Sequence, residues 1–416
     1  MKIVSSLTLL NSVLPFLLLP ILTFQLTLEE YGGLILLESF IVILTPILQF
    51  SIAGLIVEYF KLSKSDFSLY LTNSLIIVLP VFVFFQIIVF YSSEFIVGRF
   101  GLHEGWFLTL PIIILFNVTI QASVLVYQCK KKYRLYSLFL LGPNVVTFIL
   151  TISLLFFFDL GWESKLFAVF SSFFLFSVLS FYLLIKELDI KWKLSWFMVS
   201  SNLKFTLPII PHSVAAGMYF MADRIFISEF LGNASVAIYA AGMQLAMIMS
   251  VLQNSLSKAW APFVMEFIAQ KAEEKTLFLD GYSQLFRFMF LACLVVILSG
   301  VIISIVIYFL VDHLLPIDYS QAKYLGIMLI GGFCLLGFYK VYTPILWYHK
   351  RTGSLSKVTV IVFLINLVLN LLLIPKYGVY GACYATIISI ACQFLFSQAI
   401  VFSVVKNHKR GPVGVN

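Results

Sequence analysis

Apolar runs of about twenty residues or more recur along this chain, separated by short charged clusters. A hydrocarbon core about 30 Å thick takes roughly 20 helical residues to cross, so each run is long enough to span a bilayer. Lipid offers no partner to a backbone N–H or C=O, so each run must be a helix; the period-2 alternation of a membrane barrel is absent. The composition rules out a soluble alternative. Hydrophobic residues make up 61% of the chain and charged residues 11%, whereas a soluble surface needs roughly 25% charge. The runs lie near 4–27, 32–57, 68–93, 106–129, 136–158, 166–185, 205–229, 233–257, 287–311, 323–347, 357–375 and 378–405. They predict about twelve transmembrane helices. The first follows Lys2, contains Pro15 and Pro20 and shows no small-x-small cleavage site, so it reads as a retained helix.

The net charge of +8 reflects topology rather than nucleic acid, and no nucleic-acid partner is expected. With the N-terminus inside, the inner connections receive Lys61 and Lys64, the cluster Lys130 to Arg134, Lys186 to Lys204, Lys271 to Arg287, Lys350 to Lys357, and the tail. The outer ones hold only Arg99, Lys165, Lys323 and Lys376. Both termini are therefore predicted to be cytoplasmic, in a multi-pass bacterial inner-membrane protein. The outer turns are short, the largest being Tyr91 to Gly105. The inner connections 186–204 and 262–286 read as amphipathic helices or helix extensions at the interface. The five cysteines form no CxxC pair and read as small apolar fillers.

The basic connection at 191–204 divides the chain into spans 1–6, within 1–190, and spans 7–12, within 205–416. Each half opens on a proline-bearing helix, Leu14-Pro15-Phe16 with Pro20 in one and Leu207-Pro208-Ile209-Ile210-Pro211 in the other. Six spans is an even number, so the halves enter the membrane with the same orientation, as parallel repeats. Two such lobes flanking a central cavity suit alternating access.

Specific motifs begin at 207. Pro208, Pro211 and His212 form a P-x-x-P-H segment, and Asp223, Arg224 and Ser228 lie in a D-R-hydrophobic-hydrophobic-I-S stretch. Leu231, Gly232, Val236 and Tyr239 complete an L-G-x-x-x-V-x-x-Y turn. A second cluster is Ile374-Pro375-Lys376-Tyr377-Gly378-Val379-Tyr380-Gly381-Ala382 with Ala385-Thr386. These resemble the polysaccharide-exporting members of the multidrug/oligosaccharidyl-lipid/polysaccharide (MOP) exporter superfamily, and in particular the Wzx-type O-antigen flippases. The resemblance implies an all-α integral membrane fold like that of the MATE multidrug exporters, with two six-helix lobes around a central cavity. It also implies the cargo: an undecaprenyl-pyrophosphate-linked oligosaccharide moved from the cytoplasmic to the outer leaflet. Sister families for capsule and exopolysaccharide share the motifs. Polysaccharide polymerase and chain-length proteins are the further partners such a protein would meet.

Ionisable groups inside a span cost at least about 2.5–3.5 kcal/mol and so face a cavity or a partner. Arg224 is the natural pyrophosphate ligand, because its planar fork offers paired donors. Its neighbour Asp223 points about 100° away, toward another helix. Both could instead lie at the outer interface. Lys340, between Tyr339 and Tyr342, is too deep to snorkel easily and is a substrate or coupling candidate. Glu38 is a counter-ion, a protonatable coupling group or an interface residue. Gln253 and Asn254 are candidates for sugar hydroxyls, with interhelical hydrogen bonding as the alternative. Lys258 and Arg287 frame the inner ends of spans eight and nine, as anchors or as an entry gate for the anionic headgroup. His212 marks a broken helix start, capping freed carbonyls or sensing protons.

No glycine-rich phosphate loop, HExxH or Cys/His cluster at metal spacing is present. The chain is expected to be a transporter without catalytic residues, metal or cofactor, coupled instead to an ion such as H⁺ or Na⁺. Two other functions compete. A drug/cation antiporter of the same superfamily would bury carboxylates, whereas Arg224 and Lys340 favour an anionic cargo. A polytopic enzyme of polysaccharide assembly would need a large outer loop, or a histidine with polar partners in the membrane.

Overall fold

A computed structural model describes residues 2–188, 192–219, 221–274 and 281–408. Among them there is no strand; the chain runs as fifteen α-helices with three short 3-10 turns. These are α1 (Lys2–Gln25), α2 (Leu28–Leu48), α3 (Leu55–Lys61), α4 (Lys64–Phe100), α5 (Glu104–Cys129), α6 (Tyr133–Phe157), α7 (Glu163–Leu188) and α8 (Trp196–Thr206). There follow α9 (Ile210–Tyr219), α10 (Ala222–Leu231), α11 (Asn233–Glu273), α12 (Tyr282–Leu314), α13 (Ser320–Tyr348), α14 (Thr352–Tyr377) and α15 (Val379–His408). Ten helices among the described residues are long and apolar enough to cross a membrane. The helix α1 and the interrupted run α8–α10 stand where the first and seventh spans were predicted.

Two predicted spans are broken, the seventh of them twice, since α9 ends at Tyr219 and α10 begins at Ala222; a proline stands at the other two breaks. Pro46 lies in the last turn of α2, and the chain passes through a 3-10 turn at Phe50–Ile52 before α3. Pro208 opens a second 3-10 turn, Leu207–Ile209, between α8 and α9. A proline removes a backbone donor and clashes with the preceding turn, which tightens or ends the helix there. One expectation fails. The fifteen-residue outer loop predicted at 91–105 is helical as far as Phe100, where Gly101, at φ +61° and ψ +37°, caps α4. The polar residues Ser92, Ser93, Glu94 and Arg99 mark the exit from the apolar stretch, not the end of the helix.

The chain divides into two compact units, Met1–Ala237 and Ile238–Asn416, which part within α11. In the first, α5 is the central element and packs against α2, α3, α4, α6 and α7. Small polar residues let α5 and α7 approach: the hydroxyls of Ser123 and Ser180 lie 2.6 Å apart, and Ser180 also donates to the Thr119 carbonyl at 2.6 Å. That is the small-residue contact expected of membrane helices. The helix α8 joins this unit through Asn202, fully buried, whose amide donates to the Ser51 carbonyl and the Ser74 hydroxyl, both at 2.7 Å. Around the start of α8, Trp192, Trp196 and Phe197 are exposed, as interfacial aromatics are. In the second unit α13 packs against both α12 and α15, and α15 against α14. Glycine lets α11 and α13 cross closely: a Cβ on Gly242 of α11 would meet the Leu325 Cβ at 2.9 Å and the Ala322 carbonyl oxygen at 3.0 Å.

Candidate functional site

In the second unit α11, α12 and α13 line a cavity of about 560 Å³. One stripe on each helix lines it at helical spacing. The stripe on α11 comprises Gln253, Leu256, Ser257, Trp260 and Phe263; that on α12 comprises Phe288, Leu291, Ala292 and Val295; that on α13 comprises Gly337, Lys340 and Val341. The wall is fixed at several points. The Trp260 indole donates to the Val341 carbonyl at 2.9 Å, and the Phe263 ring meets Phe288 edge-on with centroids 5.9 Å apart. Gln253 is only 2% exposed and donates to the Phe333 carbonyl at 2.7 Å. Gly337 makes that approach feasible, because a Cβ there would lie 2.8 Å from the Gln253 amide nitrogen and 2.7 Å from Val296 Cγ1.

Lys340 supplies the only formal charge among the cavity's lining residues. Its ammonium donates to the Asn254 side-chain oxygen at 2.8 Å, and no carboxylate lies within ion-pair distance of it among the described residues. The structure thus brings three of the predicted residues together: Gln253, Asn254 and Lys340. Arg287 lines a second cavity of about 660 Å³ on the same unit, with Tyr282, Phe286, Phe290 and Val405. Leu291 borders both cavities. Lys258 is exposed on α11.

The other charges of interest belong to the first unit. Asp223 is fully buried and Arg224 is 9% exposed, on the first turn of α10. An Arg224 guanidinium nitrogen donates to the Ser39 hydroxyl of α2 at 3.1 Å. Glu38, one residue earlier, receives the Lys165 ammonium of α7 at 2.7 Å. Adjacent positions on α2 therefore accept cations from two different helices. The His212 side chain lies outside the described residues; the segment that carries it begins α9, directly after the proline break. Among the described residues no group of three His, Cys, Asp or Glu side chains is placed to hold a metal ion.

Reading by residue type singles out Lys340, Gln253 and Asn254 but not the aromatic wall that the structure sets beside them. Trp260, Phe263 and Phe288 were indistinguishable from lipid-facing filler. The available signal was Gly337, three residues before a lysine in an otherwise apolar span.

At the opposite face of the first unit, the connections are tight. Arg99 forms an ion pair with Glu229, and Asn233 donates to the Phe100 carbonyl at 2.8 Å. A Cβ on Gly32 would overlap the Asn233 carbonyl, so the start of α2 sits directly against the first residue of α11.

Comparison with known proteins gives this architecture a family. Residues 2–268 match the family described as Polysaccharide biosynthesis protein. An "Uncharacterized membrane protein" of Haemophilus influenzae is 24% identical over 374 residues, which is 85% of this chain and 84% of that one. Two solved structures share the fold. An inward-facing multidrug resistance MATE family transporter of the MOP superfamily superposes with a TM-score of 0.69 at 13% identity, covering 97% of this chain and 96% of that one. Lipid II flippase MurJ, in an inward closed conformation, gives 0.67 at 17% identity, covering 98% and 88%. Identities this low speak for the fold alone. A multi-pass membrane protein with the MOP fold, the chain belongs to the polysaccharide biosynthesis protein family.

Proposed function

We propose that this protein is a flippase for undecaprenyl-pyrophosphate-linked oligosaccharide repeat units, of O-antigen or a related surface polysaccharide. It carries them from the cytoplasmic to the outer leaflet of the bacterial inner membrane by alternating access of its two six-span lobes, coupled to H⁺ or Na⁺ movement. The observation that carries this reading is the Lys340 ammonium, held by Asn254 on an apolar wall with no carboxylate beside it. A cation within a membrane span that has no counter-ion is costly, and an anionic cargo offsets that cost on arrival. The family and the likeness to a lipid II flippase support the same cargo class. The competing reading, a drug/cation antiporter, gains nothing from an uncompensated lysine, which repels cationic substrates.

In this reading Lys340 and Asn254 take the pyrophosphate, Gln253 takes a sugar hydroxyl, and Arg287 meets the headgroup at the inner end of α12. Unit charges 4 Å apart interact by about 4 kcal/mol at an effective dielectric near 20. Lys340→Ala should therefore cut surface polysaccharide severely while membrane abundance stays normal, and Lys340→Arg should retain much of it. Immunoblots for protein and for surface polysaccharide, in a strain lacking the chromosomal copy, read both quantities. Normal export by Lys340→Ala at normal abundance would remove the basis for the reading.

A further inference from the structure

The cavity around Lys340 is far more apolar than a pyrophosphate or a sugar requires. Apolar residues, Leu256, Trp260, Phe263, Leu291 and Val295 among them, form most of its wall, and several are also substantially exposed: Leu256 by 44%, Phe263 by 41%, Leu291 by 56% and Val295 by 52%. The cavity is thus open along one side and continuous in lining with the Arg287 cavity through Leu291. At about 560 Å³ it falls within the range of pockets that hold small organic ligands.

We infer that this groove seats the lipid part of the cargo: the isoprenoid units next to the pyrophosphate lie between α11, α12 and α13, with the phosphate on Lys340. The inference rests on the flippase reading and adds the binding mode. Two features select the occupant. The lone ammonium demands an anion, and the apolar stripes demand hydrocarbon. A cationic amphiphile meets the wrong charge, and a free oligosaccharide finds too few polar groups. Arg287, further along α12, holds the headgroup before it reaches Lys340.

The test uses the purified full chain in detergent, with binding measured by microscale thermophoresis. The probes are geranylgeranyl diphosphate, geranylgeraniol, inorganic pyrophosphate and phosphatidylglycerol. Geranylgeranyl diphosphate should bind about tenfold or more tightly than either of its halves, because each half forfeits one class of contact. Val295→Trp, which fills the groove from its open side, should weaken diphosphate binding by about tenfold. Ile302→Trp, on the same helix outside the cavity lining, should leave it unchanged. Lys340→Gln should abolish the preference for the diphosphate over the alcohol. The inference is overturned if Val295→Trp binds like the wild type, or if phosphatidylglycerol competes as well as the isoprenoid and so marks an ordinary lipid site. Reconstitution separates this from the function itself. If the wild-type chain translocates a lipid-linked oligosaccharide while Val295→Trp still binds the probe normally, the groove assignment falls and the flippase stands. If the wild-type chain translocates nothing yet binds the probe in the groove, the function falls and the assignment stands.

Discussion

Lys165 reaches Glu38 across two helices, with their side chains 15% and 28% exposed. Partial solvation and salt screening hold such a pair to a modest value, so a double-mutant cycle with Lys165→Ala and Glu38→Ala should give a coupling of about 0.5–1 kcal/mol. Arg224 is a different case. It is buried, bonded to Ser39 and adjacent to the fully buried Asp223. Truncating the buried guanidinium removes its packing together with its hydrogen bond, a loss of about 2–5 kcal/mol, whereas losing one hydroxyl partner costs about 1. Arg224→Ala should therefore lower the thermal midpoint of the purified protein well beyond what Ser39→Ala does, as followed by intrinsic fluorescence on heating. Equal shifts would show that the guanidinium is not held where the structure has it. Asp223, Arg224 and Lys340 were legible in the sequence because a charge stands out in an apolar run. Their partners were not. Ser39 lies 185 residues from Arg224 and Asn254 lies 86 from Lys340, and nothing local in a sequence encodes which helices touch.

At the level of elements, hydropathy located the spans but not their ends. The helix α4 has 37 residues, about 55 Å at 1.5 Å per residue, and overruns the bilayer at its charged end. A transmembrane run ends in sequence where charges begin, while a helix ends where the backbone is capped. Gly101 performs the second task at φ +61°. Replacing it with alanine forces a Cβ into the left-handed region and should cost about 1 kcal/mol, read as a lower thermal midpoint with export retained. The breaks at Leu207–Ile209 and after Pro46 were only half legible. Prolines announced them, but whether a proline bends a span or ends it depends on neighbours that take up the freed backbone groups. The glycines of the recognisable motifs have physical reasons of their own. Gly232 and Gly378 have positive φ, and a Cβ on Gly381 would overlap the Leu373 carbonyl oxygen.

For the molecule as a whole, the basic clusters make a topology prediction. Single cysteines placed at 132, at 351 and at 193, in a cysteine-free background, should resist impermeant maleimide in intact cells and react after permeabilisation. Labelling at 132 from outside would reverse the orientation proposed from the charge asymmetry. The opposite ends of the first unit's helices are joined only by residues 26–27, 101–103 and 158–162 and by Gly232. Proteins commonly acquire new specificities by lengthening or exchanging surface loops, since loops tolerate insertion and carry recognition. That route has almost no raw material at this face. A lineage adapting such a chain to a new sugar would have to change residues inside the bundle, where each substitution is also judged by whether the helices still pack. Grafting turns from one relative to another should leave cargo preference with the recipient.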